Sequence, residues 1–165
     1  MSDLPTEWEW LKGTYWYVPE ANLLAYSFET DTQEMHAVAD QTVFNITGYR
    51  GGYFWGRTVV RLGHRPSAYL ALTGSVTPEG RVLLTFTPFS TTPYSTPTTG
   101  FGQMCIHNGK VAMQNQMSSG SGKSQITHWA YMLQTEPGDE SWKSLPGAGV
   151  SVPDFMKGCP AGPKG

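Results

Sequence analysis

The chain has few charged residues, few cysteines and no long apolar run. Of its 165 residues, 15% are charged, against roughly 25% in ordinary globular proteins, while 13% are aromatic and 39% hydrophobic. This balance excludes a disordered protein or a coiled coil. No apolar run approaches the roughly 18 residues of a membrane span, and the first five residues lack the basic-then-apolar order of a secretory signal. We therefore expect a cytoplasmic protein without a membrane partner.

The two cysteines, Cys105 and Cys159, are too few and too far apart for a disulfide framework or a zinc cluster. Cys105 and His107 are two residues apart, so on a strand they share a face and could supply two metal ligands. No third ligand follows at a matching spacing. We therefore expect no metal and no other cofactor.

Carboxylates are nearly absent from the middle of the chain. Between residues 41 and 135, Glu79 is the sole acid, against seven lysines and arginines. Glycosidase chemistry by two carboxylates is therefore unlikely to belong to this region, and its histidines lack a nearby acid of the kind found in a Ser-His-Asp triad. The net charge of −2 also argues against nucleic acid as a partner. A binder of single strands, with bases stacked on a positive aromatic sheet, is the weakest interpretation.

Short strands dominate the pattern, because apolar residues alternate with polar ones and turn residues are frequent. The clearest hairpin turns at Asn108-Gly109, since this dipeptide supplies both positive φ angles of a type I′ turn. Two more hairpins are expected around residues 78–80 and 49–52. The predicted strands cover Gly13–Val18, Leu23–Phe28, Glu34–Val38, Thr42–Thr47, Tyr53–Leu62, Tyr69–Val76, Arg81–Phe89, Phe101–His107, Lys110–Met117 and Gln125–Leu133.

About ten neighbouring strands form an antiparallel meander, and closure into a barrel is the arrangement that removes its free edges. The sequence thus predicts an all-β, up-and-down barrel of about 8–10 strands over residues 1–135. Residues 136–165 are rich in glycine and proline and are expected to form an irregular arm packed on the barrel. The Thr/Pro-rich segment 90–100 is expected to be a loop over one barrel mouth.

The strand Tyr53–Leu62 places Tyr53, Trp55 and Arg57 on one face. If that face lines the barrel, the guanidinium needs a counter-charge, which a substrate carboxylate or phosphate could supply. Alternatively, Arg57 faces outward and pairs with an acid of the first strands or the tail. Strand alternation alone leaves both interpretations open.

Polar residues within otherwise apolar strands suggest an amphipathic cavity, because buried polar groups need partners and a ligand is one such partner. Tyr17, His128 and Tyr131 are the candidate catalytic acids and bases. The candidate substrate-binding residues are Arg57 as the anchor, with Tyr53, Trp55, Asn115 and Trp129.

Three short motifs follow one another in the first part of the chain: Leu11-Lys12-Gly13-Thr14 before an aromatic first strand, then Val43-x-x-Ile46, then Gly52-x-x-x-Gly56-Arg57-x-Val59. Together they resemble the calycin (lipocalin-like) barrels, and among them the phenolic acid decarboxylases. The resemblance covers residues 11–62. It implies a barrel in which two first-strand tyrosines, an arginine and a glutamate bind a substrate carboxylate and transfer the proton. Tyr15 and Tyr17 correspond to the tyrosines with a shift of register, and Asn45 stands at the arginine's position.

The leading hypothesis is a cofactor-independent lyase or isomerase with its site inside the barrel, acting on an apolar or aromatic, optionally anionic, substrate. The alternative is a non-catalytic carrier of a small apolar ligand, which needs no titrating group. Apolar residues on both faces of strands such as 68–72 also allow a homodimer.

Overall fold

A computed structural model describes residues 7–20, 24–89, 97–120 and 123–164. Within these ranges the chain forms ten strands, preceded by a 3-10 turn at Glu9–Leu11 and followed by two short helices. The strands are β1 Tyr15–Tyr17, β2 Ala25–Glu29, β3 Glu34–Val38, β4 Asp40–Arg50, β5 Tyr53–Leu62, β6 Ala68–Val76, β7 Arg81–Pro88, β8 Thr98–His107, β9 Lys110–Gly120 and β10 Ser124–Thr135, and the helices are α1 Glu140–Lys143 and α2 Val152–Met156.

The sheet closes on itself because β1 pairs with β4 on one side and with β10 on the other. β10 is long enough to pair with β1 near its end and with β2 near its beginning, so β1 and β2 are two halves of an interrupted first strand. β3 continues almost directly into β4, and every pairing is antiparallel. The predicted all-β, up-and-down barrel is confirmed, with eight strands around its circumference, and it is consistent with a calycin-like barrel.

The hairpin at Asn108-Gly109 is confirmed, with φ of 50° and 76° at the two turn residues. The hairpins β4–β5 and β6–β7 also form, with β4 extending to Arg50 beyond its predicted end. Of the predicted loop 90–100, residues 90–96 lie outside the described part of the chain. Thr98 to Gly100 belong to β8.

One end of the barrel is packed solid. Its interior holds large apolar side chains that include Trp16, Phe54, Met113 and Met132, and Leu11 of the 3-10 turn is fully buried against them. The amphipathic cavity that the sequence predicts therefore does not occupy this end. A cavity lies near the opposite mouth.

The C-terminal segment packs on the outside of the barrel. Leu145, Val152 and Phe155 form a second apolar cluster with Val43 of β4 and Val59 of β5. The backbone of Gly147 adds polar contacts, since its N–H donates to Gln41 Oε1 at 2.7 Å and its carbonyl accepts from Arg61 at 3.3 Å. This packing explains why both faces of β4 are buried.

The outer face of β7 to β10 keeps apolar side chains in contact with solvent. Leu83, Phe101 and Trp129 are 57%, 62% and 50% exposed. The homodimer stays a prediction. Among the described residues, no helix has the length and apolar character needed to cross a bilayer.

The pairing of β4 with β5 depends on their close approach at Gly56. A Cβ there would overlap the carbonyl oxygen of Asn45, which is backbone and cannot move aside. We expect Gly56→Ala to destabilise the fold by about 3 kcal/mol or more, because overpacking against backbone forces the strands apart. Urea unfolding measures the loss.

The matched control is Gly120→Ala, also in a strand, where the nearest atom would be 3.5 Å away. It should change stability by less than about 1 kcal/mol. Equal effects of the two substitutions would contradict the described pairing of β4 with β5.

Candidate functional site

A cavity of about 210 Å³ occupies the open end of the barrel. It lies between the beginnings of β4, β6, β8 and β10 and the ends of β5, β7 and β9. Most of its wall is apolar, and this part is formed by Ala25, Phe44, Val60, Leu62, Ala68, Leu70, Phe86, Met117 and Ile126. A small, mostly apolar molecule fits such a space, because a 150 Å³ apolar cavity already holds a benzene ring.

Asp40 and His128 form a buried carboxylate–imidazole pair in the wall of this cavity. His128 Nδ1 lies 3.3 Å from Asp40 Oδ2, and the two side chains are 7% and 1% exposed. Asp40 Oδ1 accepts a hydrogen bond of 2.8 Å from the Thr42 hydroxyl. The contact at Oδ2 is close but not well aligned as a hydrogen bond, so this oxygen has no aligned donor among the described residues. The carboxylate therefore orients the imidazole mainly by proximity and charge.

Burial raises the pKa of Asp40 above its ordinary value of 3.8, although the charge of His128 and the hydrogen bond from Thr42 oppose the rise. Desolvation disfavours a carboxylate that is taken out of water, and a partner cation only partly compensates. The site thus contains an acid whose ionisation depends on its histidine partner.

Thr58 supplies a third polar group. It lies on the inner face of β5, is fully buried, and its hydroxyl has no hydrogen-bond partner among the described residues. Such groups are costly in a protein interior unless something satisfies them. A ligand oxygen in the cavity would do so.

Of the predicted catalytic residues, only His128 lines the cavity. Tyr131 and Trp129 point to the outer face of β10, where Tyr131 stacks on His107 with ring centroids 3.9 Å apart. Tyr17 is packed against the C-terminal segment. Asn115 faces inward, but it lies deeper than the cavity wall, opposite Gly102 and Ala130, and neither of its amide atoms has a partner among the described residues.

The face of β5 that was considered as a lining face is the outer one. Phe54 and Thr58 point inward, whereas Tyr53, Trp55 and Arg57 point outward, so the structure does not place Arg57 in the cavity. Arg57 therefore points outward, as the alternative interpretation expects, but it does not contact the acid that this interpretation expects as its partner. Arg57 donates to Asn45 Oδ1 at 3.1 Å and to the Cys159 carbonyl at 3.3 Å, and it pairs with no carboxylate among the described residues.

Asp40 and Thr58 were missed by sequence reasoning. Asp40 directly precedes the acid-poor range 41–135, whose histidines were therefore predicted to lack an acid that could orient them. The available signal was alternation on one strand, since Asp40, Thr42 and Phe44 share a face. The pairing of Asp40 with His128 depends on barrel closure, which brings β4 close to β10 around the interrupted first strand.

No family model matches the chain, and neither a curated protein nor a solved structure matches it. In the part of the chain that the structure describes, no group of three or more His, Cys, Asp or Glu side chains is arranged to hold a metal ion.

Because the pKa of Asp40 is raised, the contribution of this group to the free energy of unfolding depends on pH. Stability from this group is fully present below pH 3.8, where both folded and unfolded states are protonated, and is lost as pH rises through the folded-state pKa. We expect His128→Gln/Asp40→Asn to be more stable than His128→Gln at pH 7 by about 1–3 kcal/mol, because a buried carboxylate without its cation is removed. The two variants should be equally stable below pH 3.8.

The control uses the exposed pair His36–Glu34, whose contact is 3.4 Å. His36→Gln/Glu34→Gln and His36→Gln should unfold at the same urea concentration at both pH values. If His128→Gln and His128→Gln/Asp40→Asn also unfold at the same urea concentration at both pH values, Asp40 is not buried as described.

Proposed function

We propose that the chain is a small-molecule enzyme that moves a proton on a mostly apolar substrate of about one ring, held at the open end of the barrel. The observation that carries the proposal is the Asp40–His128 pair, at 3.3 Å, in the wall of an otherwise apolar cavity of about 210 Å³. A histidine oriented by a buried carboxylate is a common general acid or base. The reaction class is a cofactor-independent isomerisation or elimination.

His128 is the proposed catalytic residue, and Asp40 is a positioning residue. Because Nδ1 faces Asp40, Nε2 is the atom that would take a proton from a substrate carbon next to a carbonyl. The electron pair of the broken C–H bond moves onto the carbonyl oxygen, and Asp40 stabilises the resulting imidazolium. In a β,γ-unsaturated substrate the resulting dienolate takes the proton back at the γ-carbon while the C=C bond moves next to the carbonyl, which completes an isomerisation with no cofactor.

The Thr58 hydroxyl is suited to the substrate oxygen. It needs a partner, and it lines the same cavity as His128. A hydroxyl that donates to a carbonyl oxygen stabilises the negative charge that develops there, most effectively where water is excluded. The finer likeness to phenolic acid decarboxylases does not enter the proposal, because Tyr15 and Tyr17 contact the C-terminal segment on the outer side of β1.

A non-catalytic carrier of a small apolar ligand is the second candidate. It is favoured by the wall itself, in which aliphatic and aromatic side chains outnumber polar ones. A carrier would need the cavity but not the ion pair. The same experiment separates the two functions, since both predict binding but only the enzyme predicts proton exchange.

The test is hydrogen–deuterium exchange into small cyclic ketones, such as 2-cyclohexenone, in D₂O, followed by proton NMR. The protein should accelerate exchange at carbons next to the carbonyl, and His128→Gln should lower the rate by about 10²- to 10⁴-fold, the usual contribution of a general base. His36→Gln, which changes a histidine of the exposed pair, should keep the full rate.

Asp40→Asn is expected to lower the rate less than His128→Gln and to shift its pH profile, because the imidazolium loses its counter-charge. Saturable binding of ketones with no exchange above the buffer rate would favour the carrier. Exchange that survives in His128→Gln would exclude His128 as the base.

A further inference from the structure

A second pocket, of about 340 Å³, lies outside the barrel between its wall and the C-terminal segment. Tyr15 of β1 and Arg57 of β5 form its barrel side, and Trp142 and Lys157 belong to the C-terminal side. No carboxylate of the described residues lines it. It is separated from the cavity by the thickness of the sheet, because Arg57 and Thr58 are consecutive residues on opposite faces of β5.

Arg57 is fixed in position without being neutralised. Its Nε donates to Asn45 Oδ1 and one terminal nitrogen donates to the Cys159 carbonyl, at 3.1 and 3.3 Å. Both acceptors are uncharged, and the second terminal nitrogen has no partner among the described residues. A guanidinium has five N–H groups in a planar fork, so a held arginine with donors to spare suits a carboxylate or a phosphate.

Lys157 adds a second positive charge. It directly follows α2, its side chain is exposed, and it forms no ion pair among the described residues. Two cations in a pocket without an acid favour an anionic ligand.

The remaining walls suit a flat apolar body. The rings of Tyr15 and Trp142 meet edge to face with centroids 4.9 Å apart, and the buried side chains of Val152 and Met156 lie beside them. The thiol of Cys159 is also at the pocket, but burial raises its pKa, with Arg57 opposing the rise, so the sulfur is a neutral thiol rather than a nucleophilic thiolate. Binding there would be reversible and non-covalent.

We propose that this outer pocket binds a small aromatic molecule that carries a phosphate or a carboxylate. The anion contacts Arg57 and Lys157, and the aromatic ring contacts Tyr15 and Trp142. The site is independent of the cavity and does not rest on the enzyme proposed for it.

The test is ¹⁹F NMR titration of the whole protein with 4-fluorophenyl phosphate and, separately, with 4-fluorobenzoate. We expect saturable binding of at least one of the two. Arg57→Gln and Lys157→Gln should each weaken it by about tenfold or more, because each removes a charge-assisted contact. If Arg57→Gln fails to fold, Lys157→Gln tests the proposal by itself. The Lys157 side chain forms no ion pair among the described residues, so this substitution should not destabilise the fold by breaking one.

The matched control is Arg61→Gln. Arg61 lies four residues from Arg57 on the same face of β5 and also donates to a carbonyl of the C-terminal segment, that of Gly147, but it does not line the pocket. Its loss should change binding by less than twofold. The neutral probe 4-fluorobenzyl alcohol and inorganic phosphate should bind at least tenfold more weakly than the aryl anion. Absence of saturable binding, or equal effects of Arg57→Gln and Arg61→Gln, would overturn the proposal.

Discussion

Closure of the barrel through β1 is the constraint on which the other features depend. Only three residues, Tyr15 to Tyr17, pair with β4 on one side and β10 on the other. This pairing decides which side chains of every strand face inward, and it leaves the first strand interrupted before β2. Asp40 at the beginning of β4 and His128 on β10 meet near that interruption. The buried ion pair is therefore a consequence of how the sheet closes.

The Asp40–His128 pair is affected by the apolar wall of the cavity in which it lies. In water, a carboxylate and an imidazole 3.3 Å apart would interact weakly, whereas between buried side chains the same contact is stronger. The cost of this burial is a pKa of Asp40 that is raised above its ordinary value. Thr58 adds a further cost, a buried hydroxyl without a protein partner. Groups of this kind gather where a ligand is expected to complete the hydrogen bonding.

Local sequence signals were sufficient to predict the strands and hairpins, but not to predict which face of each strand points into the barrel. Asn108-Gly109 fixes its turn by backbone conformation alone, and alternation along β5 correctly separated Phe54 and Thr58 from Trp55 and Arg57. Which set faces inward could not be assigned from the sequence, because the apolar cluster of the C-terminal segment covers the outer face of β4 and β5 and makes both faces look apolar. His128 was found because it is a polar residue in an apolar strand. Its partner Asp40 was not, since the contact joins residues 88 positions apart, and no local pattern records it.

The central claim is that a small molecule binds at one end of the barrel, whereas packed side chains fill the other end. A methionine lies at each of these ends, so its methyl resonance shows whether a ligand binds there. Met117 lines the cavity, whereas Met113 is fully buried in the packed interior on the same strand. The decisive measurement is a titration of protein labelled with ¹³C at the methionine methyl groups with 2-cyclohexenone, followed by NMR. We expect the Met117 methyl resonance to shift saturably while that of Met113 stays in place. A Met117 resonance that does not move, or equal movement of Met113 and Met117, would contradict the account.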